Sequence, residues 1–443
     1  MRRSWLAIGA ALTSSVMVLS GCANTPVGGE TTPAPAPSVD SPAPVESVTL
    51  QFTWWGADDR AAMYEEAVDL FEKAYPHITV NTSFASFPDY WTQRSTEAAS
   101  RSLPDVMQTD LSYLGEYSAN GHLLDLAPYV GDGTIDTSDF NPNLVASGAV
   151  NGVQVALPTG SNILGIVVNP EHLASAGVAL DGDITWAQYN EAIAKISAAG
   201  VTNAEGDQVF GSGPYTGNIW NFLLWLTQRG STAVNDQGEL AFTAADIEAW
   251  LGQASQLVAD GALVPLEKAA QFAPKSSIGA NVAAFEIQYD NFLAQFVNES
   301  GNEALELRPM PVADSGEPKL FSKPSMFLSG SSNSSHPKEA AMLIDFLLTE
   351  PAVGAIFGTS KGVPASAAQR GAVKAEEGSP TAKILAFEAL VADRVTQGAP
   401  VLPNHSSLER KWIELHEQYS YGQIDAATFA SQWFDEAELL AAS

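Results

Sequence analysis

The stretch Trp54-Trp55-Gly56-Ala57-Asp58-Asp59-Arg60 gathers two indoles, two carboxylates and a guanidinium at what reads as a strand-to-helix junction. Open α/β sheets bind their ligands at such junctions. A pyranose offers apolar C–H faces and a rim of hydroxyls, and flat aromatics beside charged groups match both. Indoles beside carboxylates equally suit an ammonium ligand such as a polyamine, and Arg60 tells mildly against that. "NIWNFLLW" and "QYDNF" repeat the composition with Trp220, Tyr289 and Asp290, and Asp110 follows the strand-like "DVMQT" at its C-terminal end.

Each residue also has a purely structural reading. Trp54 shares a strand face with Val48, Leu50 and Phe52 and reads as core, whereas Trp55 lies on the other face and is the better cleft candidate. Asp58, Asp59 and Asp110 are either cleft acids or helix caps, and Arg60 is either a site residue or a solvated charge. Trp225 and Trp250 fall within helical apolar patterns and read as core.

Catalytic patterns are weaker. Gly358-Thr359-Ser360-Lys361-Gly362 fits G-x-S-x-G, but a nucleophile elbow needs a strand before it and a helix after it, and the sequence around this motif predicts a helix before it. The histidines 77, 122, 172, 336, 405 and 416 are scattered, with no H-E-x-x-H motif and no cysteine ligand set, so neither metal nor cofactor is expected. A glycosidase needs only two well-placed carboxylates and stays open as the enzyme alternative.

The elements that position these residues begin after a leader. Arg2 and Arg3, the short apolar run Leu6 to Leu19 and the small residues before Cys22 form the plan of a signal peptide over residues 1–21. Leu19-Ser20-Gly21-Cys22 resembles a bacterial lipobox. Cys22 is the only cysteine, which makes it the expected lipidation site, and acyl chains there give stable membrane anchoring. Residues 22–47, rich in Pro, Ala and Thr, read as a disordered tether. About 395 residues remain, more than one core usually serves. A formal net charge of -30 argues against nucleic acid and against adsorption to an anionic bilayer.

Alternation over Val48 to Trp54, an amphipathic helix with Met63, Ala67, Leu70, Phe71 and Ala74 on one face, and alternation over Ile78 to Phe84 make a βαβ unit. "LPDVMQTD" and "NILGIVVN" read as strands, Asn151-Gly152 as a hairpin turn, and helices are expected from Leu111, Thr185, Asn218, Thr243 and Asp290. Two short strands near Leu307 and Met326 precede a helical C-terminal third, giving a mixed α/β fold.

Taken in order, "FTWWGADDR", "FEKAYPHITVNTSF", "FPDYWTQRSTEAASRSLPDVMQTDLSYLGEYSANGHLLDLAPY", "LPTGSNILGIVVNPEHLASAGV" with "TWAQYNEAIAKI", and "PSMFLSGSSNSSHPKEAAMLIDFLLTEPAVGAIFGTSKGVPAS" resemble the family 1 extracellular solute-binding proteins, carbohydrate receptors of ABC importers. The resemblance implies a periplasmic-binding-protein-like fold, two α/β lobes around a hinged cleft. Lobe 1 would be residues 48–158 with a returning segment of about 325–350, and lobe 2 residues 159–323 with about 351–443. It adds Tyr90 and Phe327 to the ligand-binding candidates and carries most of the weight for Trp220, Tyr289 and Asp290. It further implies a monomeric receptor without catalytic activity, held by its lipid outside the cell membrane, which hands a small carbohydrate to a permease driven by a cytoplasmic ATPase.

Overall fold

The computed structural model describes residues 47–442 apart from Asp236, Pro274 and Ser315. The expected signal peptide, the Cys22 lipidation site and nearly all of the tether therefore lie outside the described residues.

Two sheets carry the body. The first has the order Ile78–Ala85, Val48–Trp55, Val106–Thr109, Phe327–Gly330, Leu157–Pro158, with the first three strands parallel and Phe327–Gly330 antiparallel to Val106–Thr109. The second runs Val395–Gly398, Leu320–Pro324, Gly160–Val168, Ala283–Tyr289, Phe210–Ser212, with Glu306–Pro309 and Val363–Pro364 also paired to Gly160–Val168. This is the two-lobe α/β fold with a helical C-terminal part.

Strand alternation sorts Val48, Leu50, Phe52 and Trp54 onto one buried face. Thr53 is buried as well, because helix Phe87–Ser100 and its aromatics cover the other face near the strand's C-terminal end. Helix Asp58–Ala74 buries Ala61, Tyr64, Ala67, Val68 and Phe71, so its inner face is centred on Tyr64 and Val68; Leu70 and Ala74, expected inside, lie half-buried and exposed. Helix Trp186–Ala198 starts at a capping box of Thr185 and Gln188 and buries the expected Trp186, Tyr189, Ile193 and Ile196. Asp290 opens a short 3-10 turn, Asp290–Phe292, before the α-helix Leu293–Ser300 begins.

The chain passes between the sheets where Leu157–Pro158 gives way to Gly160–Val168 and where Leu320–Pro324 gives way to Phe327–Gly330. The two passages are tied together: the Thr159 N–H and hydroxyl both donate to the Met326 carbonyl, at 2.9 and 3.2 Å, and Ser325 N–H donates to Gly160 O at 3.0 Å. A third passage runs through Ser360 to Ala365, where Ala365 N–H donates to Thr159 O at 3.2 Å. Here the expected division at residue 350 is corrected. Val353, Phe357 and Ala365 bury into the core of the first sheet, and the Gln369 amide donates to Leu347 O and Glu350 O, so helices Pro351–Phe357 and Ala367–Ala372 stay with lobe 1, while the strand Val363–Pro364 between them pairs with Gly160–Val168 of the second sheet. Apolar spacing in helices Pro351–Phe357 and Ala367–Ala372 does not tell which sheet they cover.

Among the described residues no single helix is long and apolar enough to cross a membrane.

Candidate functional site

A cavity of about 350 Å³ opens between the lobes. Lobe 1 contributes Asp110, Leu111 and Ser112, from the junction between strand Val106–Thr109 and helix Leu111–Ala119. Lobe 2 contributes Asn218, Trp220, Gln288, Tyr289, Phe292, Lys323, Val401, His405 and Glu409. Most of this lining is a strand end or a helix start, with Val401 in a connection and Glu409 in the second turn of helix His405–Ser420.

Local bonds hold this lining. Asp110 Oδ1 accepts from Ser112 N–H at 2.9 Å, so the residue both caps its helix and faces the cavity. Asn218 Oδ1 caps helix Ile219–Gln228 by accepting from Trp220 N–H at 2.9 Å. The Trp220 indole N–H donates to Glu409 Oε1 at 3.0 Å, and its ring lies 4.3 Å from the His405 imidazole. Lys323 Nζ stands 5.7 Å from the ring centres of both Trp220 and Tyr289. His405 Nδ1 accepts from Leu402 N–H at 3.2 Å.

Burial governs the charges. It pushes the Glu409 carboxyl up; Lys323 and the Trp220 N–H hold it back and Asp110 adds to the rise. Burial, helped by Lys323, lowers the His405 imidazole to about 4, so it is neutral near pH 7. The Tyr289 phenol is raised by burial and by Glu409 and Asp290, and stays protonated.

The sequence candidates therefore divide. Asp110, Trp220 and Tyr289 line the cavity. Trp55 does not line it: the ring is half-buried in a cluster with Phe87, Tyr90 and Trp91, at 5.3, 5.4 and 6.0 Å between centroids. Tyr113, which follows Ser112, stacks on Trp91 at 3.6 Å, so this aromatic cluster continues lobe 1 outward from the cavity wall.

Besides Trp55, six candidates are corrected. Asp58 and Asp59 are exposed in the first turn of their helix, whose cap position is Ala57; they serve the helix dipole rather than the cavity or a side-chain cap. Arg60 donates to Ser360 O at 3.2 Å and so braces the third passage. Tyr90 is fully buried, its hydroxyl donating to Gln108 O at 2.7 Å. Phe327 is likewise buried, paired with Thr109 and Pro158 inside the first sheet. Asp290 makes a sixth: with no exposure, it contacts Glu388 on helix Pro380–Val391, whose carboxylate accepts from the Ser161 hydroxyl at 3.0 Å. Burial pushes both acids of that pair upward.

Lys323, His405, Glu409, Asn218 and Gln288 were not among the sequence candidates. Lys323 sits in the Lys-Pro-Ser passage, a position visible from the sequence; Glu409 lies in a solvated-looking helix run and carries no local signal. The Gly358–Gly362 motif follows helix Pro351–Phe357 and precedes strand Val363–Pro364, the reverse of a nucleophile elbow. Inside it, Lys361 is buried with Nζ 3.4 Å from the Phe357 ring centre, and burial, aided by Arg60, depresses its pKa.

Two α/β lobes joined by several passages, with a polar and aromatic cavity between them, define a ligand-binding receptor of the periplasmic type. The chain belongs to the bacterial extracellular solute-binding protein family, whose model matches residues 54–354. Solved structures agree. A family 1 extracellular solute-binding protein from Alicyclobacillus acidocaldarius is 26% identical, with a TM-score of 0.71 over 89% of this chain and 99% of its own. A periplasmic oligogalacturonide-binding protein from Yersinia enterocolitica is 21% identical, with a TM-score of 0.72 over 89% and 99%. The GacH receptor of Streptomyces glaucescens, solved unliganded and with acarbose, is 18% identical, with a TM-score of 0.68 over 89% and 98%. The protein is thus a bacterial extracellular solute-binding protein.

Proposed function

We propose that the receptor captures a sugar or short oligosaccharide between its lobes, by hinge closure at the three passages, and delivers it unchanged to a membrane permease driven by a cytoplasmic ATPase. In this reading Cys22 carries the lipid that holds the receptor outside the cell membrane. One observation carries the choice of ligand: Trp220 and Tyr289 line the same cavity as Asp110, Glu409, Asn218 and Gln288. Rings cover a pyranose face, and carboxylates and amides pair with its hydroxyls. Structures of the same fold, one named for binding oligogalacturonide and one solved with acarbose, support it. Lys323 in the wall opposes a polyamine.

A thermal-shift screen of the full-length protein against mono- and oligosaccharides, with polyamines as controls, tests this. A ligand at about 100 times its Kd stabilises the native state by about 2.7 kcal/mol, a visible rise in Tm. A shift with polyamines alone sinks the sugar reading, and recovery of shortened sugar chains would restore the glycosidase.

A further inference from the structure

We infer that the ligand carries a carboxylate, an acidic sugar of the uronate class, seated against Lys323; this rests on the reading of the cavity as a sugar site. It follows from which hydrogen-bonding capacity the wall leaves free. Both amides have spent their oxygens on neighbouring backbone: Asn218 Oδ1 on Trp220 N–H and Gln288 Oε1 on Tyr289 N–H, at 2.9 and 3.0 Å. Because a backbone N–H can only donate, these orientations are fixed, and what each amide presents is its NH₂. His405 accepts from Leu402 N–H at Nδ1, which places the imidazole proton on Nε2, and that atom is buried without a partner. The Tyr289 hydroxyl is buried without a partner as well. Among the described residues Lys323 Nζ makes no hydrogen bond or ion pair; it overlooks the rings of Trp220 and Tyr289, and its charge acts on Glu409 and His405.

Free donors facing the cavity thus come from Asn218, Gln288 and Lys323, while the unpartnered Tyr289 hydroxyl and His405 Nε2 are buried without exposed surface. The carboxylates facing them are partly spent, Asp110 on its own helix and Glu409 on the Trp220 indole, and burial draws Glu409 toward its neutral form. A sugar hydroxyl brings two lone pairs but also one proton, so each hydroxyl that pairs with a donor of this wall needs an acceptor for its own proton, and free acceptors are few here. A carboxylate accepts only, takes several hydrogen bonds at once and matches an ammonium. The remaining oxygens of Asp110 and Glu409 then receive the hydroxyl protons of the same ring.

The test is titration calorimetry of the full-length protein with matched pairs: glucose against glucuronate, galactose against galacturonate, and a neutral trisaccharide against trigalacturonate. The acidic member of at least one pair should bind about tenfold tighter or more, as charge-assisted hydrogen bonds are roughly twice as strong as neutral ones. Lys323→Met should erase that preference while Lys323→Arg keeps most of it, each variant being checked for an unchanged melting curve without ligand. If Lys323→Met fails that check, Lys323→Gln takes its place. Neutral sugars binding as tightly as their acidic partners would overturn the inference and leave the sugar-receptor reading standing. Absence of binding by every sugar would overturn both.

Discussion

Trp220 and Glu409, 189 residues apart, meet through a 3.0 Å hydrogen bond from indole N–H to carboxylate. The bond fixes the ring's plane against the cavity and anchors helix His405–Ser420 to helix Ile219–Gln228. Replacing Glu409 by alanine orphans a buried donor and frees the ring, whereas glutamine keeps an acceptor. Glu409→Ala should weaken ligand binding by about fivefold or more, from a loss of about 1–3 kcal/mol, and Glu409→Gln by clearly less. Calorimetry on the two variants decides it; equal losses would mean that charge, not ring placement, matters at this position.

Tyr90 gives the opposite expectation. Its hydroxyl is buried on Gln108 O, remote in role from the cavity wall, so Tyr90→Phe should leave affinity unchanged and lower stability by about 1–2 kcal/mol, read by urea unfolding. A binding defect in a normally folded Tyr90→Phe protein would return this residue to the site.

Strand and helix periodicity was legible because burial imposes it: the Val48 to Trp54 alternation and the Thr185 cap appear in the structure as the sequence predicts them. The site was legible only where a candidate sits at a strand end or helix start, as do Asp110, Trp220 and Tyr289. Composition misled at Trp55-to-Arg60, where an aromatic and acidic stretch supplies a core cluster, a helix dipole and a brace instead of a cavity wall. His405 and Glu409 join the cavity through packing of the C-terminal helices over more than a hundred residues, and no local spacing encodes that.

Three buried carboxyls predict a pH effect. Burial alone lifts Glu286 to about 7, with Oε2 lacking a partner, and burial lifts Asp290 and Glu388, which touch each other. Folded values above unfolded ones mean stability that is whole below the ordinary carboxylate range and lost as pH rises through the raised values. Urea unfolding between about pH 5 and about pH 8 should show this loss, and Glu388→Gln should flatten it by removing one charge from the pair. An unchanged slope in Glu388→Gln would show that the pair stays neutral or is relieved by water.

Gly362 lies where the three passages pack closely together. Its φ is +79°, a left-handed backbone that favours glycine, and an added Cβ would lie 2.6 Å from Ser161 O, 2.6 Å from Asn162 Oδ1 and 2.9 Å from Ser325 Cβ. Ser161 and Ser325 belong to the other two passages, so a methyl group here pushes all three strands of the hinge apart at once. Overpacking of this kind costs about 1–3 kcal/mol, added to the backbone penalty. Gly362→Ala should therefore lose at least that much stability in urea unfolding. It should also weaken ligand binding although no part of Gly362 lines the cavity, because closure must bend the strands it spreads. Gly121, with φ +67° but open space around it, is the control: alanine there carries the backbone penalty without the clash, and should leave binding untouched. Equal effects from the two alanines would mean that backbone conformation, not the packing of the passages, sets the cost at Gly362.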